Sequence, residues 1–412
     1  MGETVRPGAL ATLKARGFFA QCTDEGRLQE QLDQRPLTFY VGIDPTGSSL
    51  HVGHLVPLYA LAHMVSHGHR GIVIVGDGTA RIGDPSGKTE MRKMLTTEQI
   101  AENAAAIGAQ VQQFLGDRGA VTLVHNGEWL GELNYIEFLR DIGRHFSVNR
   151  MLTFETYRKR LETGLSFIEF NYQLLQSYDF LKLYQTRGCS LQIGGDDQWG
   201  NIVAGADLIR RVEGSDAEAF GLTFPLVTRS DGKKMGKTEK GAVFLDPAMV
   251  TPYDFFQYWR NVADADVRKF LLMYTFLSLD EIESIEGEGI NKAKERLALE
   301  VTALIHGNAA ATEALHAAQA LFAGGGDAAA VPGGEISADQ LAAGILVVDL
   351  FVNAGLASSR GEARRLIQQG GARINDIVVQ SFEQVITNDD VDSEGVLLLR
   401  AGKKRFFRFL RA

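Results

Sequence analysis

Pro45-Thr46-Gly47-Ser48-Ser49-Leu50-His51-Val52-Gly53-His54 is the stretch on which the reading of the fold turns. Before it runs Leu37-Thr38-Phe39-Tyr40-Val41-Gly42-Ile43, an apolar, strand-like segment. After it, Leu55, Leu58, Tyr59, Ala62 and Val65 recur at helical spacing, which predicts a helix over about 50–67 with Ser48 or Ser49 as its N-cap. His51 and His54 are three apart and share a face of the first turn. Gly53 between them has no Cβ, so a flat ring can approach the backbone. A helix N-terminus attracts anions through its unpaired N–H groups and its dipole. Two imidazoles on that turn are placed to donate to a phosphate as charge builds on it. A bare pair of histidines on an amphipathic helix more often simply packs, so the neighbouring segments decide. Pro57, about two turns into this helix, is expected to loosen or kink it.

Working outward, a second strand Gly71-Ile72-Val73-Ile74-Val75 completes a right-handed, parallel βαβ unit. The glycine-rich run Gly76–Thr89 follows. It is neither a dinucleotide fingerprint, which needs Gly where Arg81 stands, nor a Walker loop, which needs Gly where Ile82 stands. It remains a glycine-rich loop after a parallel strand, where open α/β sheets bind ligands. Lys88 and Arg92 are candidates to hold phosphates there. His63, His67 and His69 are expected at the surface, at a helix end. Further on, 98–116 reads as helix, 121–125 as strand and 134–144 as helix. Between Ser166 and Leu181, Tyr172, Gln176 and Asp179 line one helical stripe and Phe167, Phe170, Leu174 and Leu181 the other side. The usual fate of a polar stripe is water, but this one lacks Lys and Glu. Its donors and acceptors suit a small polar ligand. A short strand at 190–194 leads into Gly195-Asp196-Asp197-Gln198-Trp199-Gly200-Asn201 and then a helix. Strand, glycines, carboxylate and helix is an arrangement that sets an acidic group near a ribose. Lys233-Lys234-Met235-Gly236-Lys237-Thr238 follows the turn at Asp231-Gly232, with two ammonium groups flanking a glycine. Helical patterns fill 251–322, glycine-rich runs at 324–334 mark a linker, and a compact α+β pattern closes the chain. There Ser359-Arg360-Gly361-Glu362 has capping-box spacing, and Asn375-Asp376 reads as a hairpin turn between short strands.

Composition bounds the rest. The chain has 412 residues, 45% hydrophobic and 23% charged, with a net charge of −9, enough for two or three globular domains. Cys22 and Cys189 are its only cysteines, which excludes a disulfide framework and fits a reducing compartment. No apolar run suggests a membrane span. The acidity argues against a general nucleic-acid coat, yet residues 341–412 hold 10 basic against 8 acidic residues, with Lys403, Lys404, Arg405, Arg408 and Arg411 at the end. Such a tail suits a local polyanion contact as well as it suits a solvated strand.

Together the segments resemble a class I aminoacyl-tRNA synthetase of the bacterial tyrosyl branch. His51-Val52-Gly53-His54 is similar to its HIGH signature, and Lys234-Met235-Gly236-Lys237-Thr238 to its KMSKS signature, with Gly for the first Ser and Thr for the last. Tyr40–Thr46, Gly83–Lys88 and Gly195–Asn201 resemble that branch too, and 345–412 resembles an S4 RNA-binding domain. The resemblance implies an α/β fold: a Rossmann-like parallel-sheet catalytic domain (1–228), the lysine loop with an α-helical domain (229–325), a linker (326–344) and a small α+β S4-like RNA-binding domain (345–412). It implies activation of L-tyrosine by ATP, with Mg2+, and transfer to the 3′ end of tRNA(Tyr), by a cytoplasmic homodimer with no tightly bound metal or organic cofactor. His51, His54, Thr46, Lys88, Arg92, Lys234, Lys237 and Thr238 would stabilise the phosphates. Gly42, Asp44, Gly53, Gly195 and Asp197 would hold the nucleotide. Asp84, Tyr172 and Gln176 would take the substrate ammonium, Gln198 its carboxylate end, and Tyr40 and Asp179 the phenolic hydroxyl. Arg360, Arg364, Arg365, Lys403 and Lys404 would meet tRNA, and the segment from Gly143 to Phe167 would form the dimer contact. The readings that compete are a tryptophanyl-tRNA synthetase and a catalytically silent nucleotide- and RNA-binding paralogue. A buried Asp179 left without its phenol partner costs free energy, so phenylalanine is expected to be rejected.

Overall fold

Alternating apolar strands and amphipathic helices after Leu37 build a mainly parallel sheet, and the order of its strands sets where a ligand can bind. The computed structural model describes residues 8–86, 94–232, 235–238, 241–322, 333–392, 395–402 and 405–412, of which 237–238 and 320–322 by backbone only. The chain forms two compact units, Met1–Val250 with Asn261–Leu297, and Thr251–Arg260 with Ala298–Ala412.

The first unit opens with α1 (Ala9–Ala15), β1 (Gln21–Cys22) and α2 (Glu25–Gln34), the last capped by Asp24. Then come β2 (Thr38–Ile43), a 3-10 turn at Val52–His54, α3 (Leu55–Ser66), β3 (Arg70–Val75), α4 (Thr97–Leu115) and β4 (Val121–His125). Short helices α5 (Gly127–Leu130), α6 (Tyr135–Asp141), α7 (Val148–Met151) and α8 (Glu155–Thr163) lead to the long α9 (Phe167–Arg187). A Ser166–Glu169 capping box starts α9, and Gly188 in the left-handed conformation ends it. β5 (Cys189–Gly195), α10 (Trp199–Glu213) and β6 (Phe220–Phe224) complete the layered core, and β7 (Lys237–Thr238) and β8 (Gly241–Ala242) form a small hairpin.

The sheet order is β1-β6-β5-β2-β3-β4, with only β1 antiparallel. The chain adds β3 and β4 on one side of β2 and later β5 and β6 on the other, so the switch point lies between β2 and β5. Open α/β sheets bind ligands at the carboxyl ends of strands at such a point. Pairing between β2 and β5 runs only as far as Tyr40 opposite Gln192, although β2 continues to Ile43 and β5 to Gly195. Beyond that pair the two strand ends are unlinked, which opens the crevice.

Three local expectations are corrected. His51, not Ser48 or Ser49, caps the turn before α3, while the Ser49 hydroxyl donates to Leu50 O at 2.8 Å and accepts Asp246 N–H at 3.2 Å. Pro57 is the third residue of α3, in the first turn, where a helix tolerates proline, so it need not kink the helix as expected. His63 and His69 are buried rather than at the surface. α1 packs on α3 and covers its far end, and nothing in the pattern of residues 1–36 announced that contact. His63 lies between the rings of Phe18 and Phe276, and burial pushes its pKa down to about 3. His69 Nδ1 accepts Leu37 N–H at 3.2 Å, and His67 Nε2 lies 2.9 Å from the Thr12 hydroxyl.

Helices α11 (Pro252–Arg260), α12 (Val267–Tyr274), α13 (Leu279–Gly287), α14 (Ile290–His306) and α15 (Asn308–Phe322) follow, with α12 and α13 in the first unit. In the second unit Phe255 and Trp259 of α11 are buried, and the Phe255 ring meets His306 edge-on at 4.8 Å. The C-terminal part contains β9 (Gly333–Ile336), α16 (Ala338–Ala343), β10 (Ile345–Leu346), α17 (Val347–Asn353), α18 (Arg360–Gln368), β11 (Ala372–Ile374), β12 (Ile377–Val378), β13 (Val385–Ile386), β14 (Val396–Ala401) and β15 (Arg405–Arg411). β9 and α16 fall within the segment read as linker, and β9 is an edge strand parallel to β15 in the five-stranded sheet β12-β11-β14-β15-β9. Asn375 and Asp376 have φ of 46° and 63°, as the tight hairpin turn between β11 and β12 requires.

Candidate active site

The His51–His54 turn is organised by its own backbone. His51 Nδ1 accepts Gly53 N–H at 3.1 Å, and His54 Nδ1 accepts His51 N–H at 3.1 Å. The rings stack with centroids 3.9 Å apart. With both Nδ1 atoms accepting, each neutral ring carries its proton on Nε2. The outer nitrogens are therefore donors, the role a helix-end anion site needs. A Cβ on Gly53 would lie 2.8 Å from His51 Cε1, so glycine is what lets that ring fold over the turn.

The lysine-bearing loop rests on the same turn. Met235 is buried, and Gly236 has φ +80°. A Cβ at Gly236 would come within 2.5 Å of Val52 Cγ2 and 3.5 Å of Gly53 N. Val243 N–H donates to Gly236 O at 2.9 Å, Val52 N–H to Val243 O at 3.0 Å, and Leu245 N–H to Leu50 O at 2.8 Å. The backbone of Lys237 and Thr238 forms β7. Lys88, Arg92 and Lys234 lie outside the described residues.

At the carboxyl ends of β2 and β5, Gly42 is exposed, and a Cβ there would meet nothing within 4 Å. Thr46 is exposed, its N–H donating to Asp44 O at 2.8 Å. Asp44 accepts the Thr79 hydroxyl at 2.7 Å and the Tyr172 hydroxyl at 2.9 Å. The Asp197 carboxylate folds over Gly195, where a Cβ would lie 2.7 Å from its Oδ1. Its neighbour Asp196 is a structural group, accepting from Thr223 at 2.9 Å and Gln21 at 2.6 Å.

The stripe on α9 is drawn inward rather than solvated. Tyr172 and Asp179 are buried and Gln176 is half-buried. Asp179 accepts Asn126 Nδ2–H at 2.9 Å and Trp129 Nε1–H at 2.7 Å. Burial outweighs those two bonds and pushes its carboxyl pKa up to about 7. Burial, then the charge of Asp179, raises the Tyr40 hydroxyl. The Tyr40 hydroxyl is buried and has no hydrogen-bond partner among the described residues. Burial, then the charge of Asp44, raises Tyr172 likewise. Asp84 accepts Gln198 Nε2–H at 2.8 Å and Ser86 N–H at 2.9 Å. Asn201 bridges Gln176 and Gln198.

Thr79, Asn126, Trp129 and Asn201 are the residues that sequence reasoning passed over. Thr79 and Asn201 stood inside quoted motifs. Asn126 and Trp129 directly follow β4, and the rule that strand carboxyl ends face the crevice was the only signal for them. Among the expected tRNA contacts, Arg360 is paired with Asp349, the Arg364 guanidinium lies 5.2 Å from the Phe382 ring centre, and Arg365 is exposed. Lys403 and Lys404 lie outside the described residues.

Residues 32–323 match the family described as tRNA synthetases class I (W and Y), and 329–409 match the tyrosine--tRNA ligase SYY-like C-terminal domain. The chain therefore belongs to the class I aminoacyl-tRNA synthetases. It is 59% identical over 403 residues to the tyrosine--tRNA ligase of Treponema denticola, covering 98% of this chain and 99% of that one. It is 60% identical to that of Treponema pallidum, covering 98% of each. A C-terminally truncated mitochondrial tyrosyl-tRNA synthetase of Aspergillus nidulans superposes with a TM-score of 0.68 at 28% identity, over 76% of this chain and 94% of that one. Within the class, the chain falls in the tyrosine--tRNA ligase family.

Proposed function

We infer that the chain joins L-tyrosine to tRNA(Tyr) in two steps. A carboxylate oxygen of tyrosine attacks the α-phosphorus of ATP, pyrophosphate departs, and tyrosyl-adenylate remains. A ribose hydroxyl at the 3′ end of tRNA then attacks the tyrosyl carbonyl, and AMP leaves. Positioning and charge stabilisation carry such a reaction without a covalent nucleophile.

The observation that carries the tyrosine reading is a buried pair. Asp179, fixed by two donors, lies close enough to Tyr40 to act on it, and the Tyr40 hydroxyl has no partner among the described residues. A phenol entering there donates a hydrogen bond to Asp179 and accepts one from Tyr40, and it satisfies a polar atom that otherwise stays unpaired. In the same reading Tyr172, Gln176 and Asp84 take the ammonium, and Gln198 faces the carboxylate. Gly42, Asp44, Gly53, Gly195 and Asp197 line the nucleotide. His51, His54 and Thr46, with Lys88, Arg92, Lys234, Lys237 and Thr238 from the two loops, stabilise the phosphates, and Mg2+ arrives as the counter-ion of ATP. Arg360, Arg364, Arg365, Lys403 and Lys404 meet tRNA. Arg365, exposed on α18, is the best supported of these, whereas Asp349 already engages Arg360.

A homodimer is part of the proposal. Tyr135, Ile136, Val148, Leu161 and Phe167 are large apolar side chains, each more than half exposed and gathered within one stretch of the first unit. A Phe167→Asp chain sedimenting as a monomer where the wild type is a dimer supports it, and a monomeric wild type contradicts it. Cytoplasmic location is proposed too; no helix among the described residues is long and apolar enough to cross a membrane.

The activity is tested by amino-acid-dependent ATP–pyrophosphate exchange. Exchange is expected with tyrosine and not with tryptophan. Exchange with tryptophan alone, or with no amino acid, would overturn the reading.

A further inference from the structure

Asn201, in the first turns of α10, is 5% exposed and sits among three amides. Its Nδ2 donates to Gln176 Oε1 at 3.0 Å and to Gln198 Oε1 at 3.2 Å, with the Ser86 hydroxyl at 3.4 Å. Its Oδ1 faces Gln173 Nε2 at 3.5 Å.

The direction of this chain of amides is fixed at both ends by groups that only accept. At one end Gln173 Nε2 donates to the backbone carbonyl of Gly200 at 3.0 Å, so Gln173 turns its NH2 toward Asn201 and Asn201 must answer with oxygen. At the other end Gln198 Nε2 donates to the Asp84 carboxylate at 2.8 Å, so Gln198 turns its oxygen toward Asn201 and Asn201 must answer with NH2. The two constraints agree. They also dictate that Gln176 presents its oxygen to Asn201.

We propose that Asn201 is a positioning residue for tyrosine activation: it sets the orientation of the Gln176 and Gln198 amides so that the first offers oxygen to the substrate ammonium and the second offers N–H to the substrate carboxylate. The proposal rests on the roles given to Gln176 and Gln198 above. It acts at the α-amino and α-carboxylate end, because the hydrogen bonds of Asn201 run to Gln173, Gln176, Gln198 and Ser86, whereas Asp179 is held by Asn126 and Trp129. Reversing either amide would aim a donor at the ammonium or an acceptor at the carboxylate, a like-for-like mismatch in a partly dry site.

The test compares Asn201→Leu, which removes the donors at similar volume, and Asn201→Asp, which keeps the shape and turns donor into acceptor. For each, the KM for tyrosine in ATP–pyrophosphate exchange is measured beside the inhibition constant of 4-ethylphenol, which has the phenol but neither charged end. The expected result is a KM raised about ten-fold with 4-ethylphenol inhibition unchanged. Parallel weakening of both ligands would mean that Asn201 merely supports the fold, and an unchanged KM would mean that it orients nothing; either overturns the proposal. Gln176→Ala and Gln198→Ala are measured alongside. If they raise the tyrosine KM and the Asn201 variants do not, only this proposal fails. If none of the four variants moves it, the reading of the site fails with it.

Discussion

The two ends of the cleft hold their polar groups by opposite means. At the closed end, Asp179 is 3% exposed and is gripped by Asn126 and Trp129, residues 53 and 50 positions away in sequence. At the open end, His51 and His54 are half-buried and are fixed by backbone N–H groups two and three positions away. The closed end depends on the assembled sheet, since Asn126 follows β4 while Asp179 lies on α9. The open end depends on one glycine-containing turn. Under the proposed roles, selection of the substrate falls where burial makes an unmatched group costly, and handling of the phosphates where donors can face an incoming anion.

The largest effect expected from this division is at the open end. His54→Asn keeps an acceptor for the His51 N–H, so the turn is preserved, but removes the outward Nε2 donor. Tyrosine activation should slow by about 10²–10³-fold in kcat, while the KM for tyrosine stays within about two-fold. Pre-steady-state adenylate formation reads both quantities. A KM that rises as far as kcat falls would break the division between the two ends.

A smaller effect is expected in stability, and only from the closed end. Burial raises the Asp179 carboxyl from 3.8 to about 7 in the folded chain. Raising the pH from 4 to 7 therefore strips the proton from the unfolded chain first. Stability from this group is full below about pH 4 and is lost as pH climbs through 7. Asp179→Asn removes that loss. Its melting temperature relative to wild type should stand a few degrees higher at pH 8 than at pH 4.5, in thermal melts at both values. A difference independent of pH would mean that Asp179 is not held near neutrality.

The same contrast explains what could be read in advance. The open end is contiguous, so the turn formed by His51, Gly53 and His54, and the Asp84 and Asp197 loops after their strands, could be located from local sequence. The parallel sheet, α9 and the hairpin at Asn375-Asp376 followed from periodicity and turn chemistry. The closed end's supports are non-local: a lone Asn126 and Trp129 after a strand carry no pattern until the fold brings them to Asp179. Burial of His63 and His69 was missed for the same reason: Phe18 and Phe276 flank the first and Leu37 meets the second, all from distant segments. β1 is two residues long and has no periodicity to detect, and β9 hides in a glycine-rich run.

The central claim is that the buried end reads the hydroxyl of tyrosine. Its most direct test is the ratio of kcat/KM for tyrosine over phenylalanine in ATP–pyrophosphate exchange, in the wild type, Trp129→Phe and Asp179→Ala. Losing a hydrogen bond to the carboxylate in Trp129→Phe should lower the ratio roughly ten-fold, and losing the carboxylate itself should lower it about a hundred-fold or more. A ratio that stays at the wild-type value in both variants would contradict the account.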